Sequence, residues 1–442
     1  MTTQPKCAAL MRMTGFVLGL ALLLSACASE PATPAPSPMP IEKQTLHVLT
    51  LEDSPIRSVL SIVIKAFEQS HPNVKVVREP ITGDPAQQIA TMATQNNLPD
   101  VVFTIDALTP SLVEANLLLD MRELASMERN INLDSFMPRA IAQGNIQNNP
   151  GLFMIPAALE SVQMFYNKDL FTSSGASMPG ADWTWDDLIA ACKLIQDKHS
   201  DVKCISYTNP GMPGPSWWGN LVPWIRGYGG DVLSKDGKLS TFSQPESLAG
   251  ISAYMELWTK HHVVVPPGQH GFCFVDQKCA VVFYVAGAVG GLQERIGKLF
   301  QWDAQLIPAH PKGRNTATVT YGYGIARGTT HPELAWEFVK SIASLDVQRA
   351  IAANHAGMPV LTQLVNDPAV MGNTAPDMQV FVRGIDFGIT PPAYPIKCGN
   401  FYTGLVLDTL NNAFAYALTS GNSVEAAFKK ADSIIQACID GG

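Results

Sequence analysis

The chain lacks any run of lysine and arginine, any long apolar stretch beyond its first thirty residues, and the compact motifs of common hydrolases and nucleotide-binding enzymes. Each absence excludes something. With no basic patch, and 30 Lys plus Arg against 38 Asp plus Glu in 442 residues, neither nucleic acid nor an anionic membrane surface is the expected main partner. No later segment approaches the roughly 20 apolar residues that span a bilayer. No nucleophile elbow, H-E-x-x-H or P-loop is present; Gly214-Pro215-Ser216 lacks the G-x-S-x-G frame. There is no CxxC and the nine His show no ligand spacing, so no metal or other cofactor is expected. Charged residues are only 15%, but a hydrophobic fraction of 46% and a mean hydropathy of +0.09 describe a folded chain of two or three domains.

What is present first sets an address. Residues 1–26 have the shape of an export signal: Lys6 and Arg12, then an apolar stretch from Phe16 to Leu24. The stretch ends in Leu24-Ser25-Ala26-Cys27, which resembles the lipobox of bacterial lipoproteins. That resemblance implies cleavage before Cys27 and a lipid, including palmitate, on Cys27. Two or more acyl chains at about 0.8 kcal/mol per methylene would hold the protein to the cell membrane. Residues 27–44 are rich in proline and read as a stiff tether. The folded body is expected outside the cytoplasm, on the periplasmic side or the cell surface. Six cysteines remain for it, and an even number in an exported chain reads as disulfides. Of the fifteen pairings, Cys192 with Cys204, Cys273 with Cys279 and Cys398 with Cys438 are favoured, because each closes a local loop.

The body opens as α/β. Thr45 to Leu51 reads as a strand. Ser54-Pro55 then starts a helix whose apolar face is Ile56, Val59, Leu60, Val63, Ile64 and Phe67. Val74 to Arg78 is a second strand, Asp84-Pro85 opens a second helix, and Val101 to Ile105 is a continuous apolar strand. Strand, helix, strand, helix, strand predicts a parallel sheet with ligands outside the carboxyl ends of its strands. Those ends are Glu52-Asp53-Ser54, Thr82-Gly83-Asp84 and Asp106. Later helices are predicted from Thr184-Trp185-Asp186-Asp187, from Thr330 to Glu333, and from Asn422 with Glu425.

Several segments together resemble the extracellular solute-binding proteins of ABC import systems, in the group that contains maltose- and glycerol-phosphate-binding proteins. They are Pro99-Asp100-Val101-Val102-Phe103, Ile155 to Ser161 running into Tyr166-Asn167-Lys168-Asp169-Leu170, Thr184 to Leu188, and Gly324 to Phe338. The resemblance covers about residues 45–440. It implies a two-lobed, clam-shell periplasmic-binding-protein fold (type II), each lobe a mostly parallel sheet flanked by helices, joined by hinge strands. Lobe 1 is expected at 45–156 plus 308–355, and lobe 2 at 157–307 plus 356–442. It also implies no catalysis. A monomer would close on a sugar and deliver it to the permease subunits of an ABC importer.

A sugar presents hydroxyls at its edge and C–H groups on its faces, which suit carboxylates and aromatic rings. The resemblance puts first-lobe contacts at Glu52, Asp53 and Ser54 and at Thr104, Ile105 and Asp106, with Asp84 on the same rim. It makes Glu160 the hinge glutamate and puts second-lobe rings at Trp217 and Trp218, in a Gly/Pro context too irregular for a core strand or long helix. Trp224 and Trp258 lie in apolar helical patterns and read as core. Tyr321 and Tyr323 offer two more rings, and Tyr402 and Asp408 lie where the family often places contacts. The family's usual tryptophan after the Cys279 strand is missing, and Tyr284 is the residue available to replace it. An anionic ligand would want arginine, for which Arg226 and Arg383 are candidates. Two alternatives stand: a surface receptor on the same fold that signals to a sensor, and an exported glycoside-active enzyme using Glu160 and Asp106.

Overall fold

The structure is a computed structural model that describes residues 43–52, 54–82, 85–127, 131–144, 151–207, 214–266, 273–367, 371, 376–390, 392, 394–399, 401, 404–419 and 422–441. The predicted signal, Cys27, the tether up to residue 42, and Asp53, Asp84 and Tyr402 lie outside the described residues.

The first strands and helices form as their patterns predict. β1 (Gln44–Thr50) pairs in parallel with β2 (Val74–Pro80) from Gln44↔Val74 to Thr50↔Pro80, and with β3 (Val101–Ile105) on its other side. The helix Ser54–Ser70 lies between β1 and β2 in sequence, with Ile56, Val59, Leu60, Val63 and Phe67 buried. Three further strands complete this sheet: β4 (Ile155–Ser161), β9 (Thr316–Ile325) and β10 (Gly388–Ile389). β9 is central. It runs antiparallel to β3 and to β4, and the order is β10-β9-β3-β1-β2 with β4 also on β9.

A second, four-stranded sheet has the order β6-β7-β5-β8, from β5 (Gln163–Asn167), β6 (Lys203–Ser206), β7 (Cys279–Tyr284) and β8 (Trp302–Gln305). β6 and β7 are parallel; β5 is antiparallel to both of its neighbours. The helix Trp185–Lys198 beside it opens with the predicted capping box: the Thr184 hydroxyl accepts from Asp187 N–H while the Asp187 carboxylate accepts from Thr184 N–H. The later helix starts differ from expectation. Pro332–Ile342 has no side-chain cap: its N-cap position falls on His331, one residue beyond the expected Thr330. The last helix, Val424–Asp440, is capped by Ser423, one residue beyond the expected Asn422.

Only Val162 separates β4 from β5, so one continuous path leaves the first sheet and enters the second. The chain returns between β8 and β9. It stays with the first sheet through Val360, whose N–H bonds Gln348 Oε1; Asp377 N–H then bonds Asp303 of β8, β10 returns briefly to β9, and the last two helices pack in the cluster of the second sheet. The expectation that 356 begins the second lobe therefore meets a chain whose residues 356–364 pack beside helices of the first: Met137 N–H bonds Val360 O and Phe136 bridges Leu361. All three favoured disulfides are formed, and all three lie in segments of the second sheet or its helices. Among the described residues no helix is long and apolar enough to cross a membrane.

Candidate ligand-binding site

The end of β4 is where groups from both sheets converge. Alternation along the strand sends Glu160 and Ser161 to opposite faces. Glu160 meets the Ala286–Ala288 turn that follows β7: its Oε2 accepts Gly287 N–H at 3.3 Å, and the N–H groups of Ala286 and Met358 also act on the carboxyl. The side chain is almost wholly buried, and burial pushes its pKa up to about 8 against the pull of those amides. Oε1 has no partner among the described residues. Gly357 faces it: a Cβ there would lie 2.8 Å from Oε1 and 3.1 Å from the Tyr321 hydroxyl. At neutral pH Glu160 is thus a protonated acid, able to donate as well as accept.

Tyr321 stands close to this carboxyl across Gly357, and Tyr284 lies two residues before the Ala286 amide that acts on it. Tyr321 is buried, its hydroxyl directed to Ala356 O at 3.4 Å. Tyr284 ends β7 opposite Gln163 and is half-buried. Tyr323 is fully buried one pleat further along β9. Its hydroxyl lies 3.4 Å from Thr50 Oγ1 and its ring edge-on to Phe103, which makes it core.

The rim of the first sheet is more self-contained than the sequence implied. Asp106 is buried, and both its oxygens accept backbone N–H groups, from Ala107 at 2.8 Å and from Thr320 at 3.3 Å. Burial raises its pKa to about 7, opposed by those bonds and by the charge of Arg139. Thr104 is buried with its hydroxyl 2.8 Å from that of Thr109, and Ile105 packs at the junction of two apolar clusters. Glu52 is half-buried and pairs with Arg78 at 3.5 Å. Ser54 begins its helix as predicted.

Trp217 and Trp218 sit in more regular structure than expected. Trp217 caps the helix Trp218–Gly227, which tolerates Pro223 inside it, and both rings join the core cluster beneath the second sheet at a centroid separation of 5.6 Å. Trp224 and Trp258 are core, as expected. Asp408 is exposed on the helix Gly404–Ala417. Arg226 pairs with Asp231 and Arg383 with Asp377, so each candidate for an anion already holds a carboxylate. Of the described candidates, the structure brings Tyr321 to Glu160 across Gly357, sets Tyr284 two residues before the Ala286 amide, and holds Tyr323, Trp217 and Trp218 in the core.

Three contributors were not visible in the sequence: the Ala286 and Gly287 amides, the Gly357–Met358 backbone, and Arg139, which donates to Thr318 Oγ1 at 3.3 Å and to Gly388 O. Backbone donors leave no residue-type signature. The one hint is Gly357-Met358-Pro359, a helix-stopping triplet after a helical pattern.

Residues 53–349 match a family profile described as bacterial extracellular solute-binding protein. Among curated relatives, a Brucella abortus protein named only as a binding protein is 22% identical over 236 residues, 52% of this chain and 54% of its own length. The chain thus spans about half the length of the curated relatives it matches. Solved structures align far more fully. The substrate-binding protein Lmo0181 of Listeria monocytogenes, in complex with cycloalternan, has a TM-score of 0.79 at 19% identity over 90% of this chain and all of its own. The GacH receptor of Streptomyces glaucescens, solved with acarbose, gives 0.77 at 17% over 90% and 99%. Maltose-bound MalE3 of T. maritima gives 0.73 at 19% over 89% and 100%. These likenesses establish a shared two-lobed α/β fold.

Proposed function

Because the chain belongs to the bacterial extracellular solute-binding proteins, we propose that it captures a mono- or oligosaccharide between its lobes and delivers it to the permease of an ABC importer. It does so without catalysis, as a monomer, held to the membrane by lipid on Cys27. The observation that carries this reading is the convergence on Glu160: a carboxyl rooted in one sheet, meeting amides that follow a strand of the other, with an unpartnered oxygen beside Gly357. A ligand hydroxyl placed there touches both lobes at once, and only a ligand that favours the closed arrangement shifts an open–closed equilibrium. The neighbours solved with cycloalternan, acarbose and maltose support a carbohydrate over other solutes.

Tyr284 and Tyr321 flank the ligand, and Glu52, Asp53, Ser54, Asp84, Tyr402 and Asp408 complete its surroundings. Asp106 and Thr104 hold the rim, and Trp217 and Trp218 support the second-lobe wall from behind. The lobes meet at Val162, between Ile307 and Thr316, and between residues 364 and 377. Asp106 spends an acceptor site of each oxygen on a backbone N–H, which favours a role in holding the rim over one as a catalytic partner of Glu160.

Thermal shift against glucose, maltose, maltotriose, maltotetraose, cyclodextrins and their β-linked counterparts tests this. At least one sugar is expected to stabilise the protein, by about 2.7 kcal/mol at one hundred times its Kd. No shift with any neutral sugar would defeat the carbohydrate assignment, and release of reducing ends during the assay would return the glycosidase reading.

A further inference from the structure

We propose that Gln163 is a positioning residue that pins the hinge, fastening the two sheet-to-sheet passages and the segment behind them into one axle. The inference rests on the lobe-closure reading above and names the part of the molecule that makes closure a single, defined rotation.

Gln163 opens β5, two residues after β4 ends, and is fully buried. Burying a primary amide is costly unless its groups are paired. Here they are paired with partners from different passages. Oε1 accepts the N–H of Ile307 at 3.0 Å, on the returning chain. Nε2 donates to Ser161 Oγ at 3.1 Å, and Ser161 Oγ donates onward to Phe381 O at 2.8 Å, on the helix Gln379–Gly384. One side chain thereby links the outgoing passage to the returning one directly and to the third segment through a single hydroxyl. The amide is suited to this because it is both donor and acceptor; a carboxylate or an aliphatic chain supplies at most one of the two.

A second observation comes from the other side of the contact. Gly384 approaches so closely that a Cβ would stand 1.9 Å from Gln163 Nε2 and 3.0 Å from Ser161 Oγ. The third segment is therefore seated against the amide itself, a fit that any side chain at 384 would spoil. Neighbouring threonines extend the fastening: Thr316 Oγ1 donates to Val162 O, and Thr318 Oγ1 donates to Ile389 O at 3.0 Å. All of this lies on the face of β4 away from Glu160, so the pin stabilises the axle without occupying the ligand's space.

Inter-lobe distances in the unliganded protein test the proposal. Gln69 and Lys193 are exposed, one beside each sheet. Replacing both with p-acetylphenylalanine allows spin labelling that leaves the disulfides alone, and electron–electron resonance then reads the distance distribution. Gln163→Met keeps the volume and removes both of its bonds, the direct tie to Ile307 included; Ser161→Ala removes the Oγ that joins Gln163 Nε2 to Phe381 O and leaves the tie to Ile307 intact. Loss of one hydrogen bond of about 1 kcal/mol corresponds to about a 5-fold rise in the molecules outside the wild-type distance range. At least that rise is expected for Gln163→Met, which loses two bonds, with a smaller one for Ser161→Ala, which keeps the direct tie to Ile307, at unchanged far-ultraviolet circular dichroism. Distributions that superimpose on the wild type in folded variants would overturn the pin. If Gln163→Met fails to fold, Ser161→Ala alone decides. Because no ligand enters the measurement, a failed sugar panel leaves this result standing, and a failed pin leaves the sugar assignment standing.

Discussion

Among the described residues no cystine ties a strand of the six-stranded sheet, and the rings packed on that sheet form no continuous tryptophan cluster; Trp336 lies in a helix against it. Around the four-stranded sheet there are three cystines and a continuous aromatic cluster: Trp185, Tyr207, Trp224, Tyr254, Trp258, Phe283 and His310, with ring centroids mostly between 4.4 and 5.7 Å apart. Strand length differs as well. β1, β2 and β4 have 7 residues and β9 has 10, beside the shorter β3 and β10 of 5 and 2, whereas β5 to β8 have 5, 4, 6 and 4. A short ladder makes few interstrand hydrogen bonds. The second sheet compensates with ring packing and with covalent ties: Cys192–Cys204 joins a helix to β6, Cys273–Cys279 closes the turn into β7, and Cys398–Cys438 fastens the last helix. One sheet relies on its longest ladders, the other adds cross-links.

The largest expected effect breaks that contrast open. Replacing Cys398 and Cys438 by Ser removes a closure of 40 residues, which loop entropy values at about 4 kcal/mol. Denaturant unfolding should show that loss, and hydrogen exchange should rise in the last helix and its neighbours while β1 to β3 stay protected. An equal rise in β1 to β3 would mean that the lobes do not differ in the way described.

A second test reads the seam between the lobes. The folded protein keeps the Glu160 proton up to about pH 8, while the unfolded chain releases it near 4.5. The stability of the wild type relative to Glu160→Gln should therefore be highest below pH 4.5, fall as pH rises toward 8, and level off above that. Melting curves of both proteins across this window would show it, and a difference independent of pH would place the carboxyl in a more solvated setting. The smallest effect sharpens the contrast: Thr184→Ala breaks the capping box on the second lobe and should cost about 1 kcal/mol in urea unfolding. If it also loosens the first sheet, the lobes are more tightly coupled than two separately built bodies.

Much of the architecture was legible because short-range patterns carried it. The apolar face from Ile56 to Phe67, the run Val101 to Ile105 and the Thr184 box are local signals, and each formed where expected. The three disulfides were legible for the same reason. β9 was only partly legible: the pattern from Gly324 to Ala326 marked its end, but its role between β3 and β4 depends on pairings over more than 150 residues, which no local pattern encodes. Glu160 was singled out by the resemblance of its segment to a hinge, and the structure buries it where groups from both sheets meet. Its partners are backbone amides at 286, 287 and 358, and a main-chain donor looks the same in any sequence. Trp217 and Trp218 misled for a physical reason: glycine and proline nearby suggested an open loop, yet a helix with Pro223 in it packs those rings inward.

The order of the cystines along the chain has a consequence for biogenesis. The bridges close at 204, at 279 and at 438, each before the next pair begins, and none encloses another. A polypeptide emerging amino-terminus first can lock each loop with no later thiol yet available to compete. The arrangement suits vectorial oxidation, for which an oxidant at an exit site would matter more than an isomerase.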